Sequence, residues 1–294
     1  MQYKGLQGVD RINIKRLEIY AKHGVFAEEK VTPQRFLVSA ELYLDLREAG
    51  KTDDLTKTIH YGTICHEIKG FLENNTFDLL ETIAEKLAEE LLIKNPQVQE
   101  VWLEIQKPDA PVGLDFDTIS IDIERRRHKV YVALGSNMGD REAHLKFAVD
   151  ELNSSPCCKV QRVSPFINTK PYGYTDQPDF LNGCLELETL RTPIELLDLL
   201  QEIENKAGRN RASKEVPRSL EPDFIRWGPR TLDLDILFYD DIVYSDDRLQ
   251  IPHVETHFRS FVLRPLNDIA PHVRHPIFNK TVAEFYAEMH AQEL

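Results

Sequence analysis

Between Thr231 and Phe238 apolar and polar residues largely alternate (TLDLDILF), the period-two pattern of a strand with one buried face. Leu232, Leu234, Ile236 and Phe238 are expected on one side, Asp233 and Asp235 on the other. This stretch constrains the fold more than any other. It needs a layer covering its apolar side, and it leaves two carboxylates about 6.5 Å apart along the opposite side. That spacing suits carboxylates sharing hard cations, which prefer oxygen ligands and keep other positions for water or phosphate. Just upstream, Arg226, Trp227 and Arg230 flank a turn at Gly228-Pro229. Guanidinium forks beside paired carboxylates and a large aromatic face suit a nucleotide triphosphate. An edge strand with a solvated acidic face would also read LDLD, so the run alone leaves both readings open.

The first 125 residues have a different pattern. Arg11 to Ile19 alternates at Ile12 and Ile14, then at Leu17 and Ile19, and the phase slip at Lys15-Arg16 predicts a bulge. A turn follows at His23-Gly24. Phe36 to Leu46 alternates without a break, as in a long half-buried antiparallel strand. Ile64, Ile68, Phe71 and Leu72 mark one helix; Leu80, Ile83, Leu87 and Leu91 mark a second. Strands around Val101–Ile105 and Ile119–Ile123 close the unit. The order is strand-strand-helix-helix-strand-strand, a sheet with helices on one face and edges that must be covered or paired.

The join is short. Ile123 to Val130 runs from strand to strand through charged residues, with no Gly/Ser or Pro spacer, which places the boundary near Arg127 and the domains at 1–127 and 128–294. In the second unit Val130 to Leu134 is a strand, and Gly135-Ser136-Asn137-Met138-Gly139 turns it into a helix carrying Leu145, Ala148, Val149 and Leu152. GSNMG lacks the Lys-Ser/Thr of a P-loop and reads as a plain strand-to-helix turn. A strand is expected at Val163–Ile167 and another at Phe180–Leu187. Thr192, Pro193 and Glu195 form a capping box for a helix, striped by Leu196, Leu199, Leu200 and Ile203 and ended by Gly208. Arg209, Arg211, Lys214, Arg218, Arg226 and Arg230 then crowd one loop. In a chain of net charge −13, that concentration reads as an anion-binding loop, or else as a solvated surface loop.

Charge and composition set limits. A net −13 argues against a general nucleic-acid or membrane-surface binder, so any basic site is local. No run approaches the ~20 apolar residues of a membrane span, and Met1 to Asp10 lacks a signal peptide's apolar region. The four cysteines, Cys65, Cys157, Cys158 and Cys184, fit neither a zinc spacing nor a disulfide framework, which points to a reducing cytoplasm.

Longer motifs join these observations. HGVFAEE, LREAGKTDDL, HYG, LLETIAE and IQKPDAPVG, in that order across residues 10–125, resemble dihydroneopterin aldolase. The resemblance implies a tunnelling-fold ring of four subunits, commonly stacked into an octamer, with pockets between subunits. It implies that Glu81, with Leu80, anchors the pterin's amino-pyrimidine edge. Lys107 would move protons, Tyr61 would help from a neighbouring subunit and Glu29 would assist, with no cofactor.

ALGSNMGDRE, DQPDFLNG, RWGPRTLDLDIL and RLQIPH…FRSFVLRPLNDIAP, across residues 129–290, resemble 6-hydroxymethyl-7,8-dihydropterin pyrophosphokinase. The resemblance implies an α+β ferredoxin-like domain in which Asp233 and Asp235 hold two magnesium ions on ATP. It places ATP among Gln201, Arg209, Arg211, Arg230, Arg248, His253 and Arg259, with Arg209 and Arg230 also catalytic. The pterin would lie between Phe180 and Phe261, with Asn182, Thr169, Tyr172 and Trp227 completing the pocket.

Two departures from the pattern stand out: a long stretch between Arg211 and Arg226, where Arg218 has no counterpart, and Val254 in place of a bulkier residue. The expectation is a two-domain α+β homo-oligomer, a tetramer or octamer, that handles pterins and ATP and binds neither nucleic acid nor membrane. The alternative is a pyrophosphokinase carried on a non-catalytic or epimerase-type assembly domain.

Overall fold

The computed structural model describes residues 10–171, 175–208 and 228–293. They divide into two compact units, one ending at Arg127 and the other beginning at His128.

The first unit holds β1 (Arg11–Ala21), β2 (Gln34–Tyr43), a short α1 (Arg47–Thr52), α2 (Tyr61–Asn74), α3 (Leu80–Lys94), β3 (Glu100–Lys107) and β4 (Ile119–Arg126). The strands form one antiparallel sheet in the order β1-β2-β3-β4. The register of β1 against β2 shifts between Ile14 and Leu17, and Arg16 takes the left-handed conformation there (φ 51°). The broken alternation at Lys15-Arg16 is therefore a real bulge. It turns both apolar pairs of β1 toward the same side. β2 stops at Tyr43, and the expected strand residues beyond it lead into α1. β2 also buries more than one face, because Leu37, Ser39 and Tyr43 are covered as well as Phe36, Val38, Ala40 and Leu42. The two long helices bury most of the stripes their spacing predicted: Ile64, Ile68, Phe71 and Leu72 on α2, and Ile83, Leu87 and Leu91 with two alanines on α3, while Leu80 at the start of α3 is only half-buried.

The second unit runs β5 (His128–Ser136), α4 (Arg141–Ser154), β6 (Cys158–Val163), β7 (Ile167–Thr169), β8 (Phe180–Thr189), α5 (Pro193–Lys206) and β9 (Asp233–Tyr239). A β10–β11 hairpin (Tyr244–Ser245, Gln250–Ile251) and helices α6 (Ser260–Ile269) and α7 (Val282–Glu293) follow. The sheet order is β6-β8-β5-β9, all antiparallel, with β7 also on β8. That is the ferredoxin-like arrangement of two strand-helix-strand halves. Both faces of the sheet are covered. Val130, Val132, Leu134, Leu234 and Ile236 pack with α4 and α5, whereas Tyr131, Cys184, Leu237 and Phe238 pack with α6 and its neighbours. The Thr192 capping box is present, with side-chain and backbone bonds made in both directions to Glu195.

Two expectations about strands need correction. The strand expected at Val163–Ile167 is two pieces, β6 and β7, with Ser164 to Phe166 between them. Phe238 does not share a face with Leu232, Leu234 and Ile236. The β5–β9 register slips between Tyr131 and Val132, so Leu237 and Phe238 both face the α6 side. A bulge adds one residue and flips every side chain beyond it. Simple alternation cannot reveal that in a run that is apolar throughout.

Candidate active sites

In the first unit the chemistry gathers where β1 and β3 end and β2 begins. Lys107, the last residue of β3, is held under the loop that follows β1. Its Nζ lies 2.5 Å from Glu29 Oε1 and donates to the carbonyl of His23 at 3.2 Å. Both side chains are buried, with 9% and 8% of their surfaces exposed. Glu29 is further held by the Phe26 N–H at 2.9 Å and by Gln34 Nε2 at 3.3 Å. Burial alone would push the Glu29 carboxyl up. The bonds from Lys107, Phe26 and Gln34 outweigh it and hold the carboxyl below its ordinary range. Gly24 allows this closeness. Its φ is +151°, and a Cβ there would overlap the Glu29 carboxylate.

Of the remaining residues expected at this site, Tyr61 opens α2 and is 67% exposed. Glu81 sits in the first turn of α3, exposed, beside a half-buried Leu80. The structure thus joins Glu29 and Lys107 directly and leaves Tyr61 and Glu81 at the surface of two helix starts. Sequence reasoning missed His23 and Gln34. The signal was available in part, since His23 directly precedes the turn glycine of HGVFAEE.

In the second unit a cleft opens on the α6 side of the sheet. Its lining includes Thr169, Phe180, Asn182, Arg230, Asp233, Arg259 and Phe261, and an adjoining recess adds Asp235 and His253. The cleft spans about 480 Å³, counting the part open to solvent. Gly135 is why there is room. It is paired with Asn182 on β8 and with Asp233 on β9, so one row across three strands reads Asn-Gly-Asp. A Cβ on Gly135 would come within 3.0 Å of Asn182 Oδ1.

Asn182 Nδ2 donates to Thr169 Oγ1 at 2.7 Å. Arg230 is ion-paired with Asp233, and Arg259 with Glu255. The Arg259 guanidinium also lies 5.4 Å from the Phe261 ring centre.

Asn137, dismissed in the sequence as part of a plain turn, is buried and clamps this cleft. It exchanges bonds with the Arg230 backbone at 3.0 and 2.7 Å. Its Nδ2 reaches Gln177 and the Pro178 carbonyl, just ahead of Phe180. A glycine inside a strand pattern, followed by a polar residue, was the available signal.

Gln201 and Arg248 do not line the cleft. Gln201 is on α5, which packs against the opposite face of the sheet, and Arg248 pairs with Asp198 of that helix. Tyr172, Arg209, Arg211, Arg218, Arg226 and Trp227 lie outside the described residues.

Comparison with known proteins separates the same two units. Residues 12–124 match the family model described as dihydroneopterin aldolase. Residues 131–271 match 7,8-dihydro-6-hydroxymethylpterin-pyrophosphokinase. The 2-amino-4-hydroxy-6-hydroxymethyldihydropteridine pyrophosphokinase of Bacillus subtilis is 43% identical over 143 residues, covering 49% of this chain and 78% of that protein. The chain belongs to this pyrophosphokinase family.

It carries a dihydroneopterin aldolase domain ahead of the kinase domain. The folic acid synthesis protein of Schizosaccharomyces pombe is 29% identical over 298 residues and aligns with both domains, 97% of this chain. The chain spans only 37% of that relative's length. A crystal structure of Escherichia coli dihydroneopterin aldolase in complex with neopterin matches at 28% identity, over 40% of this chain and 98% of that one, with a TM-score of 0.37.

Proposed function

We propose that the chain catalyses two successive reactions on one pterin. The first unit cleaves 7,8-dihydroneopterin to glycolaldehyde and 6-hydroxymethyl-7,8-dihydropterin. The second moves pyrophosphate from ATP to the new hydroxymethyl group. The buried Lys107–Glu29 pair carries this reading, because a purely structural assembly domain has no need of an ion pair that costs several kcal/mol to desolvate.

The cleavage needs no Schiff base. A dihydropterin has a C=N bond next to its side chain. When the bond between the first and second side-chain carbons breaks, the ring takes the electron pair. A proton leaves the departing hydroxyl, and one arrives at the carbon left on the ring. Lys107, held by Glu29, is placed to pass those protons, while Glu81 and the start of α3 hold the ring's amino-pyrimidine edge. The unpaired outer edges of β1 and β4 among the described residues support assembly. So do the exposed Val25, Phe26 and Val31 around the Glu29 loop. In a tetramer or octamer, Tyr61 would complete a neighbour's pocket.

In the second unit Phe180 and Phe261 would sandwich the pterin, with Asn182 bonding its edge. The hydroxymethyl oxygen attacks the β-phosphorus of ATP, and AMP leaves. Among the described residues no three His, Cys, Asp or Glu side chains gather as a metal cluster. Two carboxylates on one strand face fit magnesium, which keeps positions for phosphate oxygens and water. Asp233 and Asp235 would hold two such ions, which would neutralise charge spread over the phosphates. Arg230 must then share or release Asp233 and turn to ATP, beside Arg259 and His253.

No helix of the described residues is long and apolar enough to cross a membrane, and all four cysteines are free, in keeping with a reducing cytoplasm. The purified chain given dihydroneopterin should release glycolaldehyde without ATP. With MgATP it should form the pyrophosphate ester and one AMP per ester. Ester formation from hydroxymethyl-dihydropterin without any glycolaldehyde from dihydroneopterin would reduce the first unit to an assembly domain.

A further inference from the structure

His23 bonds through both its main chain and its ring beside Lys107, and the proposed chemistry does not use it. It is 1% exposed, and its main chain and ring reach different parts of the site. The carbonyl accepts from Lys107 Nζ at 3.2 Å and from Gln34 Nε2 at 3.4 Å. The ring Nδ1 accepts from the Phe77 N–H at 3.1 Å, and the next residue, Gly24, donates its N–H to the Phe77 carbonyl at 2.9 Å. Residues 23–24 and residue 77 are thus bonded in both directions, like one rung of a ladder. The imidazole also stacks on Phe77, centroids 5.8 Å apart and nearly parallel, and meets Phe36 edge-on at 5.4 Å.

Phe77 lies in the link between α2 and α3, three residues before Leu80 and four before Glu81. The link has one further tie to the Glu29 loop, an Asp78–Lys30 ion pair at 2.6 Å; exposed to solvent, it holds less firmly than the buried bonds of His23. α3 itself starts without a side-chain cap, so nothing at its own N-cap fixes where its first turn stands. Lys107 and Glu29 move protons in the proposed reaction, and Glu81 holds the ring. The rate depends on the spacing between those groups, because catalysis is sensitive to misplacements of an ångström.

We infer that His23 is the positioning residue that sets the Lys107–Glu29 pair against the pterin-holding start of α3, through its carbonyl on one side and its Nδ1 on the other. The inference rests on the aldolase reading of the first unit. The Nδ1 bond requires a neutral ring with its proton on Nε2, since a protonated imidazole has no acceptor. The site favours the neutral ring, and the Nδ1 bond rather than any partner at Nε2 selects the tautomer. Burial lowers the His23 pKa most, the Leu72 backbone opposes it, and the charge of Lys107 adds a smaller lowering, so the net shift is downward.

Three substitutions in the full chain separate this role from simple packing. His23→Phe keeps an aromatic ring and removes the acceptor. His23→Asn removes the ring and keeps an oxygen at the same bond count as Nδ1. His23→Gln moves that oxygen one bond further out. In His23→Phe, kcat for dihydroneopterin cleavage should fall about 100-fold with KM within about threefold, because ring binding by Glu81 survives while alignment is lost. His23→Asn should recover most of that loss, and His23→Gln should not.

A His23→Phe chain within about threefold of the parent in kcat, or a His23→Asn chain no better than His23→Phe, overturns the positioning role. A loss confined to KM does the same. Nitrogen NMR of the parent chain, which does not depend on any variant folding, should show His23 as the neutral Nε2–H tautomer at pH 7. An Nδ1–H tautomer refutes the inference. If the parent chain itself releases no glycolaldehyde, the aldolase reading fails, and His23's role in it fails too. A parent that cleaves while the variants behave otherwise than stated refutes His23 alone.

Discussion

The two sites solve opposite problems. Around Lys107 the first unit closes a lysine and a glutamate into a dry ion pair, with the His23 carbonyl, Gln34 and the Phe26 N–H filling their remaining bonds. Around Asp233 the second unit keeps its charges at the wall of an open cleft, where Arg230 is 26% exposed and Asp233 18%. A carbon–carbon cleavage that shuttles single protons gains from groups held dry and close. Transfer from a nucleotide triphosphate must instead admit a polyanion with its cations, so its carboxylates stay reachable. Burial therefore follows the size and charge of what each site handles. A contrast also appears in the sheets: among the described residues β1 and β4 leave the first sheet's outer edges unpaired, whereas helices cover the second on both faces.

Lys107→Ala breaks this contrast most severely. Glycolaldehyde release should fall by about a thousandfold, because a positioned acid–base group is worth roughly 10²–10⁴. The orphaned Glu29 should also cost the first unit about 3–5 kcal/mol in unfolding, since one charge of a buried pair is left without its partner. Pyrophosphoryl transfer from supplied hydroxymethyl-dihydropterin should stay within about threefold. A near-parental glycolaldehyde rate would remove Lys107 from the chemistry.

Asp235→Asn tests the other side. Removing one charge from the strand pair should cut pyrophosphoryl transfer by about 10²–10³. Because Asp235 is only partly buried, the variant should lose less stability than Lys107→Ala does. Parental AMP formation would dismiss the metal assignment. A large stability loss would instead make Asp235 part of the packing.

The smallest expected effect concerns acid. His275, buried beside His257 and the rings of Phe278 and Phe238, has its pKa pushed down to about 4 by burial and by His257. The folded state holds this ring neutral, whereas the unfolded chain protonates it near its ordinary value of about 6.5. The unfolded state thus binds more protons between those pH values. Stability from this group is fully present above about pH 6.5 and is lost as pH falls toward 4. His275→Gln should flatten that limb of the second unit's unfolding midpoint against pH. An unchanged slope would show that other groups set it. The carboxyl of Glu29, also held low, acts on the first unit with the same sign but further into acid.

Much of both sites could be read along the chain. Period-two and period-3.6 patterns express which face of an element is buried, a local property, so the bulge at Arg16, both helices of the first unit and the Asp233–Asp235 face were legible there. So were Glu29, Lys107, Asn182 and the aromatic pair, because they sit in long motifs. The flip at Phe238 and the break at Ser164–Phe166 were not, since both depend on a partner strand's register.

Residue types alone limited the chain to two α+β units and put carboxylates, guanidinium groups and rings within a few residues of one another. Only the folded chain decided that Lys107 meets Glu29 from 78 residues away, that Asn137 locks Arg230 from 93, and that a bare Gly135 opens the row between Asn182 and Asp233. Those contacts are made by side chains and loops far apart in sequence. Their geometry depends on sheet order and packing, which no local pattern encodes.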